Sequence, residues 1–227
     1  MTFAKYPRPV RDVHQIELTT RCNLRCKYCP SPHLPRPKED MHWETFEQAL
    51  ELVRHFVKQG TQTELSLTGI GESLLHPRFV EAVAAARTAI GPDRPLVITT
   101  NGLLLTDALC KDLVPFSPQV FVSLHRPEKA GPAVEAAKRA GILKGVNASA
   151  ATSAFDWGGQ VQWHVSAPRI QCEYLRSGWC VVLQDGRVST CCLDASGAGA
   201  IGDVWSDPAT LKLSLYSLCS TCHMDVP

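Results

Sequence analysis

The most informative segment of the sequence reads Arg21-Cys22-Asn23-Leu24-Arg25-Cys26-Lys27-Tyr28-Cys29-Pro30. It follows directly on residues 15–20, whose apolar and polar side chains alternate as in a strand. The spacing CxxxCxxC brings three thiolates together on one loop, and soft sulfur ligands suit an iron–sulfur cluster or a zinc ion. A cluster with only three protein ligands keeps one iron open for another molecule, so we expect chemistry at this loop.

Size and composition describe a globular protein. The chain has 227 residues, enough for one domain or for one domain with a small appendage. A formal net charge of +1 gives no field that would indicate a nucleic-acid partner. The sequence contains neither the roughly 18 uninterrupted apolar residues of a membrane span nor the apolar core of a signal peptide. We therefore expect a cytoplasmic protein without a membrane partner.

The ten cysteines fall into two zones. Thiols stay reduced in a chain without an export signal, so metal ligation is a better use for them than disulfides. Cys110 lies alone between the zones in a helical pattern, and we expect it to be a buried small hydrophobe. The zones contain Cys22, Cys26 and Cys29 at one end and Cys172, Cys180, Cys191, Cys192, Cys219 and Cys222 at the other.

Between the two zones, strand and helix patterns alternate. Helices are predicted over residues 42–59, 77–90, 106–114 and 127–140. Strands are predicted over residues 15–20, 64–68, 96–100 and 119–124, with weaker ones at 145–150 and 161–165. This alternation implies parallel strands joined by right-handed crossovers, hence an α/β sheet with helices outside it. Six strands are too few for a closed eight-stranded barrel, so we expect an open sheet.

The unusual residues follow the predicted strands, at the edge where parallel sheets carry their sites. The cysteine loop follows the first strand, and the run Gly69-Ile70-Gly71-Glu72 follows the second. Its two glycines let the backbone approach a ligand closely, and Glu72 brings a carboxylate acceptor to the same place. Asn101 follows the third strand, and Ser123 ends the fourth with His125 beside it. For a lone histidine such as His125 we expect a structural role.

These motifs resemble those of the radical S-adenosylmethionine (SAM) enzymes. The hallmark of that family is Cys-x3-Cys-x2-Cys with an aromatic residue before the last cysteine, here Tyr28. Residues 68–72, Thr-Gly-Ile-Gly-Glu, resemble the family's Gly-Gly-Glu element, which holds the amino group of SAM. The resemblance implies an open six-stranded partial (β/α)6 barrel with a 4Fe-4S cluster on Cys22, Cys26 and Cys29. It also implies a low-potential electron donor such as flavodoxin or ferredoxin.

The same resemblance assigns further cofactor contacts. Asn101 and Ser123 are candidates for polar contacts to the ribose or carboxylate of SAM, and Tyr28 for a contact to adenine. Each of these three side chains could instead cap a strand end or fill the core. The full set of expected cofactor contacts is Tyr28, Gly69, Gly71, Glu72, Asn101 and Ser123.

The C-terminal cysteines predict a second site. Asp185-Gly186 between two strand-like runs indicates a β-hairpin, which can bring cysteines before and after it together. Four thiolates complete either a zinc site or a closed 4Fe-4S cluster. The segment resembles the auxiliary-cluster extensions called SPASM and twitch domains, since residues 186–191 fit their Gly-x4-Cys and the final CxxC fits their closing pair.

The six cysteines are too few for a two-cluster SPASM domain, so the resemblance favours the one-cluster twitch variety. Its expected ligands are Cys172, Cys191, Cys219 and Cys222. Cys180 and Cys192 are spare, because they miss the family spacing and adjacent strand residues point to opposite faces. Zinc stays open as the alternative. We expect a barrel over residues 1–167 and an auxiliary-cluster domain over residues 168–227.

The resemblance implies an enzyme that cleaves SAM reductively to a 5′-deoxyadenosyl radical, which abstracts hydrogen from a substrate. Enzymes with such extensions often modify peptides or protein side chains, so a peptide is the leading expectation. A small molecule, nucleoside or nucleobase is the alternative. We expect residues 32–38 and the C-terminal extension to wall the substrate entrance. The alternative to an enzyme is a non-catalytic zinc or iron–sulfur protein.

Overall fold

The computed structural model describes residues 6–148, 156–162, 170–222 and 224–226. Its helices are α1 (Trp43–Lys58), α2 (Phe79–Ile90), α3 (Asp107–Leu113), α4 (Pro127–Arg139), α5 (Glu173–Ser177) and α6 (Ser217–Thr221). The first six strands are β1 (Arg8–Pro9), β2 (Asp12–Ile16), β3 (Leu65–Ser66), β4 (Leu96–Thr100), β5 (Gln119–Ser123) and β6 (Leu143–Asn147). The others are β7 (Ile170–Gln171), β8 (Trp179–Val182), β9 (Arg187–Ser189), β10 (Ala200–Asp203), β11 (Lys212–Leu213) and β12 (Met224–Asp225).

An eight-stranded sheet forms the centre of the molecule, in the order β10-β9-β8-β2-β3-β4-β5-β6. Six of these strands, β8-β2-β3-β4-β5-β6, are parallel to one another. The strands β9 and β10 extend one edge in antiparallel pairing. Helices α1 to α4 alternate with β2 to β6 along the chain, as parallel crossovers require. The predicted α/β fold class is thus confirmed.

Among the described residues, the sixth parallel strand is one that was not predicted for this sheet. Val161 and Gln162 lie in no strand, and residues 163–165 fall outside the described residues. Instead, β8 pairs in parallel with β2, with Cys180 opposite Val13. The run from Cys180 to Leu183 is continuously apolar and buried, which suits a strand covered on both faces. Residues 161–165 alternate in polarity and lack that property.

The strands that lead to the site are shorter than predicted. The strand β2 ends at Ile16, because Leu18 and Thr20 pair with the segment 39–41 instead of a neighbouring sheet strand. The second predicted strand, residues 64–68, is reduced to β3. The residues that follow β2 and β3 therefore turn out of the sheet at its carboxyl edge, where they can form a site.

A single hydrophobic core spans the sheet and its helices. Phe46 of α1 and Ile16 of β2 are buried in it, and Val182 of β8 and Leu213 of β11 belong to the same cluster. Cys110 is fully buried there, as predicted for a small hydrophobe. The C-terminal residues thus share the core of the residues that precede them.

Within the described part of the chain, no helix is both long enough and apolar enough to cross a lipid bilayer.

Candidate cofactor site

A cavity of about 440 Å³ lies at the carboxyl ends of the parallel strands. This volume falls within the roughly 300–1,000 Å³ of small-molecule sites. The cavity brings together the motif cysteines and every predicted cofactor contact. Its lining residues are Cys22, Leu24, Cys26, Tyr28, Cys29, Thr68, Gly69, Ile70, Gly71, Glu72, Thr99, Thr100, Asn101, Ser123, His125, Asn147 and Trp157.

The three motif cysteines are half-buried at this cavity. The Cys22 Sγ accepts a hydrogen bond from Leu24 N at 3.4 Å, and the Cys29 Sγ accepts one from Ser31 N at 3.4 Å. Burial raises the pKa of the Cys22 thiol, and it raises the pKa of Cys29 to about 11. A bound metal favours the thiolate, so metal binding here releases protons. Three soft donors facing one cavity fit a cluster with one open iron.

Residues 69–72, called the cofactor loop below, pack directly against the end of β2. A Cβ atom on Gly71 would lie 2.2 Å from Thr19 O and 2.6 Å from Arg21 O. A Cβ atom on Gly69 would lie 2.4 Å from Glu17 Cγ. Only glycine fits at either position. Glu72 N donates to Arg21 O at 2.8 Å, which joins the cofactor loop to the start of the cysteine loop.

Glu72 is a buried carboxylate on the cavity wall. Its Oε1 accepts a hydrogen bond from Thr100 Oγ1 at 2.7 Å, and its Oε2 accepts one from Asn101 N at 2.8 Å. Burial raises the pKa of this carboxyl group. Leu74 N also donates to Oε1 at 3.4 Å, so it is Oε2 that keeps a lone pair for a hydrogen bond from a ligand ammonium.

The side chains of Asn101 and Tyr28 have protein partners that the sequence did not indicate. Asn101 Nδ2 donates to Asn23 Oδ1 at 2.7 Å, which ties the end of β4 to the cysteine loop. The Tyr28 hydroxyl forms a hydrogen bond with His125 Nδ1 at 2.7 Å. Both contacts join residues distant in sequence, so no local pattern could reveal them. Ser123 is buried at the end of β5 and lines the cavity.

The expectation that residues 32–38 form a wall finds no support in the described residues. None of them lines the cavity, whereas Trp157 and Asn147 do. Within this segment Arg36 is buried. A proline-rich loop is normally expected to be exposed, so no sequence pattern predicts this burial.

The four cysteines expected to bind an auxiliary cluster also come together. Cys172, Cys191, Cys219 and Cys222 line a second cavity of only about 20 Å³, whereas Cys180 is fully buried in β8. Burial raises the pKa of Cys172 to about 11. Nowhere in the described chain are three or more His, Cys, Asp or Glu side chains grouped for a single metal ion. A cluster differs from such a site because its thiolates bind different irons.

The parallel sheet, the three cysteines and the glycine–glutamate turn together define the class of radical SAM enzymes. The model of the Radical SAM superfamily matches residues 16–147, more than half of the chain. This chain therefore belongs to the radical SAM superfamily, and it is a radical SAM enzyme. Membership implies a 4Fe-4S cluster and SAM.

The curated relatives match only part of the chain. Molybdenum cofactor biosynthesis protein 1 of Bos taurus is 46% identical over 97 residues, 42% of this chain and 14% of the relative. The GTP 3′,8-cyclase of Parasynechococcus marenigrum is 41% identical over 113 residues, which are 47% of this chain and 31% of the relative. The tungsten-containing aldehyde ferredoxin oxidoreductase cofactor-modifying protein of Pyrococcus furiosus is 36% identical over 104 residues, which are 43% of this chain and 26% of the relative. The chain thus spans less than a third of these relatives' length.

Solved structures share the fold over most of the chain. BtrN in complex with AdoMet and 2-DOIA has a TM-score of 0.70 at 20% identity, covering 87% of this chain and 79% of that one. Native anSMEcpe with bound AdoMet and Cp18Cys peptide has a TM-score of 0.57 at 14% identity, covering 94% and 86%. At such identities the likeness concerns the fold alone.

Proposed function

We propose that this chain binds SAM in the 440 Å³ cavity beside a 4Fe-4S cluster on Cys22, Cys26 and Cys29, and uses it to abstract hydrogen from a substrate. The observation that carries the proposal is that one cavity is lined by these cysteines, the cofactor loop and the ends of β4 and β5. When bound, the reduced cluster supplies the electron that cleaves SAM into methionine and a 5′-deoxyadenosyl radical.

The residues of the chain hold and orient the cofactor. Gly69 and Gly71 let the cofactor loop pack closely against the residues that follow β2. In that position Glu72 accepts hydrogen bonds from the SAM ammonium group. Asn101 keeps the cysteine loop in place through its bond to Asn23. We further propose that a low-potential donor such as flavodoxin or ferredoxin provides the electron, and that the enzyme works in the cytoplasm.

We also infer an auxiliary 4Fe-4S cluster on Cys172, Cys191, Cys219 and Cys222, in a twitch-like segment over residues 168–227. The shared cavity of these four thiols supports it. The alternative ligands are placed less well, because Cys180 is buried opposite Val13 and Cys192 is not among the lining residues. Anaerobic analysis separates this cluster from zinc: stoichiometric zinc without labile sulfide would overturn the enzyme proposal as well.

For the substrate we favour a small polar molecule of the nucleotide class over a peptide. The peptide expectation has no support among the curated relatives named above, one of which is a GTP 3′,8-cyclase. The substrate must meet SAM at this same 440 Å³ cavity. His125, Asn147 and Trp157 add ring and amide groups to its wall, suited to stacking on and hydrogen bonding with a base.

Isotope transfer tests the substrate class. The anaerobically reconstituted enzyme would be incubated with SAM, a reductant and either deuterated nucleotides or deuterated peptides. We expect deuterium in 5′-deoxyadenosine with the nucleotide pool only. Transfer from the peptide pool alone would restore the peptide as substrate.

A further inference from the structure

Glu17 is a buried carboxylate next to the cofactor site for which the proposed chemistry gives no role. It follows β2 directly and is only 1% exposed, between the buried residues Ile16 and Leu18. Burying a carboxylate is unfavourable unless other groups compensate for the lost water. The contacts of the Glu17 carboxylate therefore indicate its role in the chain.

Three separate segments meet at this carboxylate. Ile70 N of the cofactor loop donates to Oε1 at 2.9 Å, and Gln184 N of the β8–β9 turn donates to Oε2 at 3.1 Å. Arg36 Nη1 lies 2.7 Å from Oε2. This last contact is an ion pair without hydrogen-bond alignment. Arg36 is itself anchored, because its Nε donates to Ala195 O at 2.8 Å.

The cofactor loop rests on the Glu17 side chain as well as bonding to it. Gly69 approaches so closely that a Cβ atom there would lie 2.4 Å from Glu17 Cγ. The hydrogen bond from Ile70 N to Glu17 fixes the orientation of the peptide group between Gly69 and Ile70. Because Gly69, Ile70 and Gly71 all line the cavity, this orientation determines which backbone groups face a ligand.

We propose that Glu17 is a positioning residue that holds the cofactor loop in its SAM-binding conformation, while Arg36 compensates its charge. The inference rests on the proposed function, since it concerns the affinity of the same cavity for SAM. Glu17 does not line the cavity and acts through the Ile70 peptide.

The variant Glu17→Gln tests this role with little change of volume. A glutamine has one carbonyl oxygen, and the Oε2 position faces two donors, Gln184 N–H and Arg36 Nη1. The oxygen therefore belongs there, and the NH₂ group faces Ile70 N–H, donor against donor. We expect the Kd for SAM to rise roughly tenfold or more and the Ile70 amide to exchange hydrogen faster by a similar factor. The iron content and kcat at saturating SAM should stay near wild type.

The opposite end of β2 offers a matched control. Asp12 is equally buried, and its Oδ2 lies 2.7 Å from Arg94 Nη2 and 2.7 Å from Thr61 Oγ1. Asp12→Asn should lower stability yet change neither SAM affinity nor Ile70 exchange. If Asp12→Asn weakens SAM binding as much as Glu17→Gln does, the effect is general destabilisation and the inference is wrong.

A second variant covers the case in which Glu17→Gln does not fold. Glu17→Asp keeps the charge for Arg36 but withdraws the carboxylate from Ile70 N by one methylene. It should also raise the Kd for SAM and speed Ile70 exchange; wild-type values for both would overturn the inference. If wild-type protein carrying its clusters binds no SAM, the proposed function fails instead. Ile70 exchange in the SAM-free protein then still tests Glu17.

Discussion

At the scale of single residues, Gly71 carries the strictest steric demand in the site. Its added Cβ would meet two backbone carbonyl oxygens, Thr19 O at 2.2 Å and Arg21 O at 2.6 Å, and backbone cannot move aside as a flexible side chain can. We expect Gly71→Ala to weaken SAM binding at least roughly tenfold, because the displacement separates the cofactor loop from the cysteine loop. Equilibrium dialysis with labelled SAM measures this.

Gly131 in α4 provides the control for that substitution. A Cβ atom there would have nothing within 4 Å. Gly131→Ala should leave SAM binding unchanged and stabilise the fold by about 0.5–1 kcal/mol, the usual effect inside a helix. Wild-type SAM affinity in Gly71→Ala would show that the close packing at residue 71 is not needed for binding.

His14 of β2 makes the stability of the fold depend on pH. Its ring stacks on Trp179 with centroids 4.3 Å apart, and Glu64 Oε1 lies 3.6 Å from its Nε2. Burial, and then the charge of Arg94, lower the pKa of His14 from 6.5 to about 4. Between these two values the unfolded chain binds a proton that the folded chain does not.

The free energy of unfolding should therefore be unaffected by His14 above pH 6.5 and decrease as the pH falls toward 4. From pH 7 to pH 5 the loss due to His14 is about 2 kcal/mol. Urea denaturation at both pH values measures it. His14→Phe should lose less stability over this interval than wild type; an equal loss in both proteins would contradict the prediction.

At the scale of elements, the β8–β9 hairpin carries cysteines of two kinds. Cys180 is fully buried in β8, whereas Cys191 follows β9 at the cavity shared with Cys219 and Cys222. Two 4Fe-4S clusters correspond to about eight irons per chain. We expect Cys219→Ala to retain the first cluster and about four irons, and Cys180→Ala to keep about eight. Anaerobic iron and sulfide analysis checks both expectations. If Cys180→Ala loses iron and Cys219→Ala does not, Cys180 is the cluster ligand in place of Cys219.

Local patterns predicted the helices α1 to α4 to within two residues at each end. They succeeded because amphipathic periodicity and the terminal glycine and proline residues are properties of short segments. The parallel pairing of β8 with β2 could not be predicted in this way. It joins strands far apart in sequence, and a short apolar run does not specify its neighbour.

In the candidate site, too, local features were predicted and contacts between distant residues were not. Its cysteines, glycines and Glu72 were predicted because their spacing and their places after strands carry the signal. The contact between Glu17 and Arg36 was not, since a buried ion pair across 19 residues has no local signature. The bond between Tyr28 and His125 was missed for the same reason.

At the scale of the whole molecule, the cysteine-rich segment and the parallel sheet are parts of one structure. The strand β8 belongs to the central sheet, and β11 pairs with β1 at the N-terminal end of the described chain. Gln184 and Ala195 reach the cofactor loop through Glu17 and Arg36. The segment 168–227 is therefore expected to matter for the first site as well as for the second.

The most direct measurement is the formation of 5′-deoxyadenosine by the anaerobically reconstituted, reduced protein supplied with SAM. The wild-type chain should produce 5′-deoxyadenosine and methionine together, because we propose that its three motif cysteines hold the cluster beside the cofactor loop. Cys26→Ala should produce neither. Equal formation by both proteins, or none by wild-type protein that carries its clusters, would contradict the account.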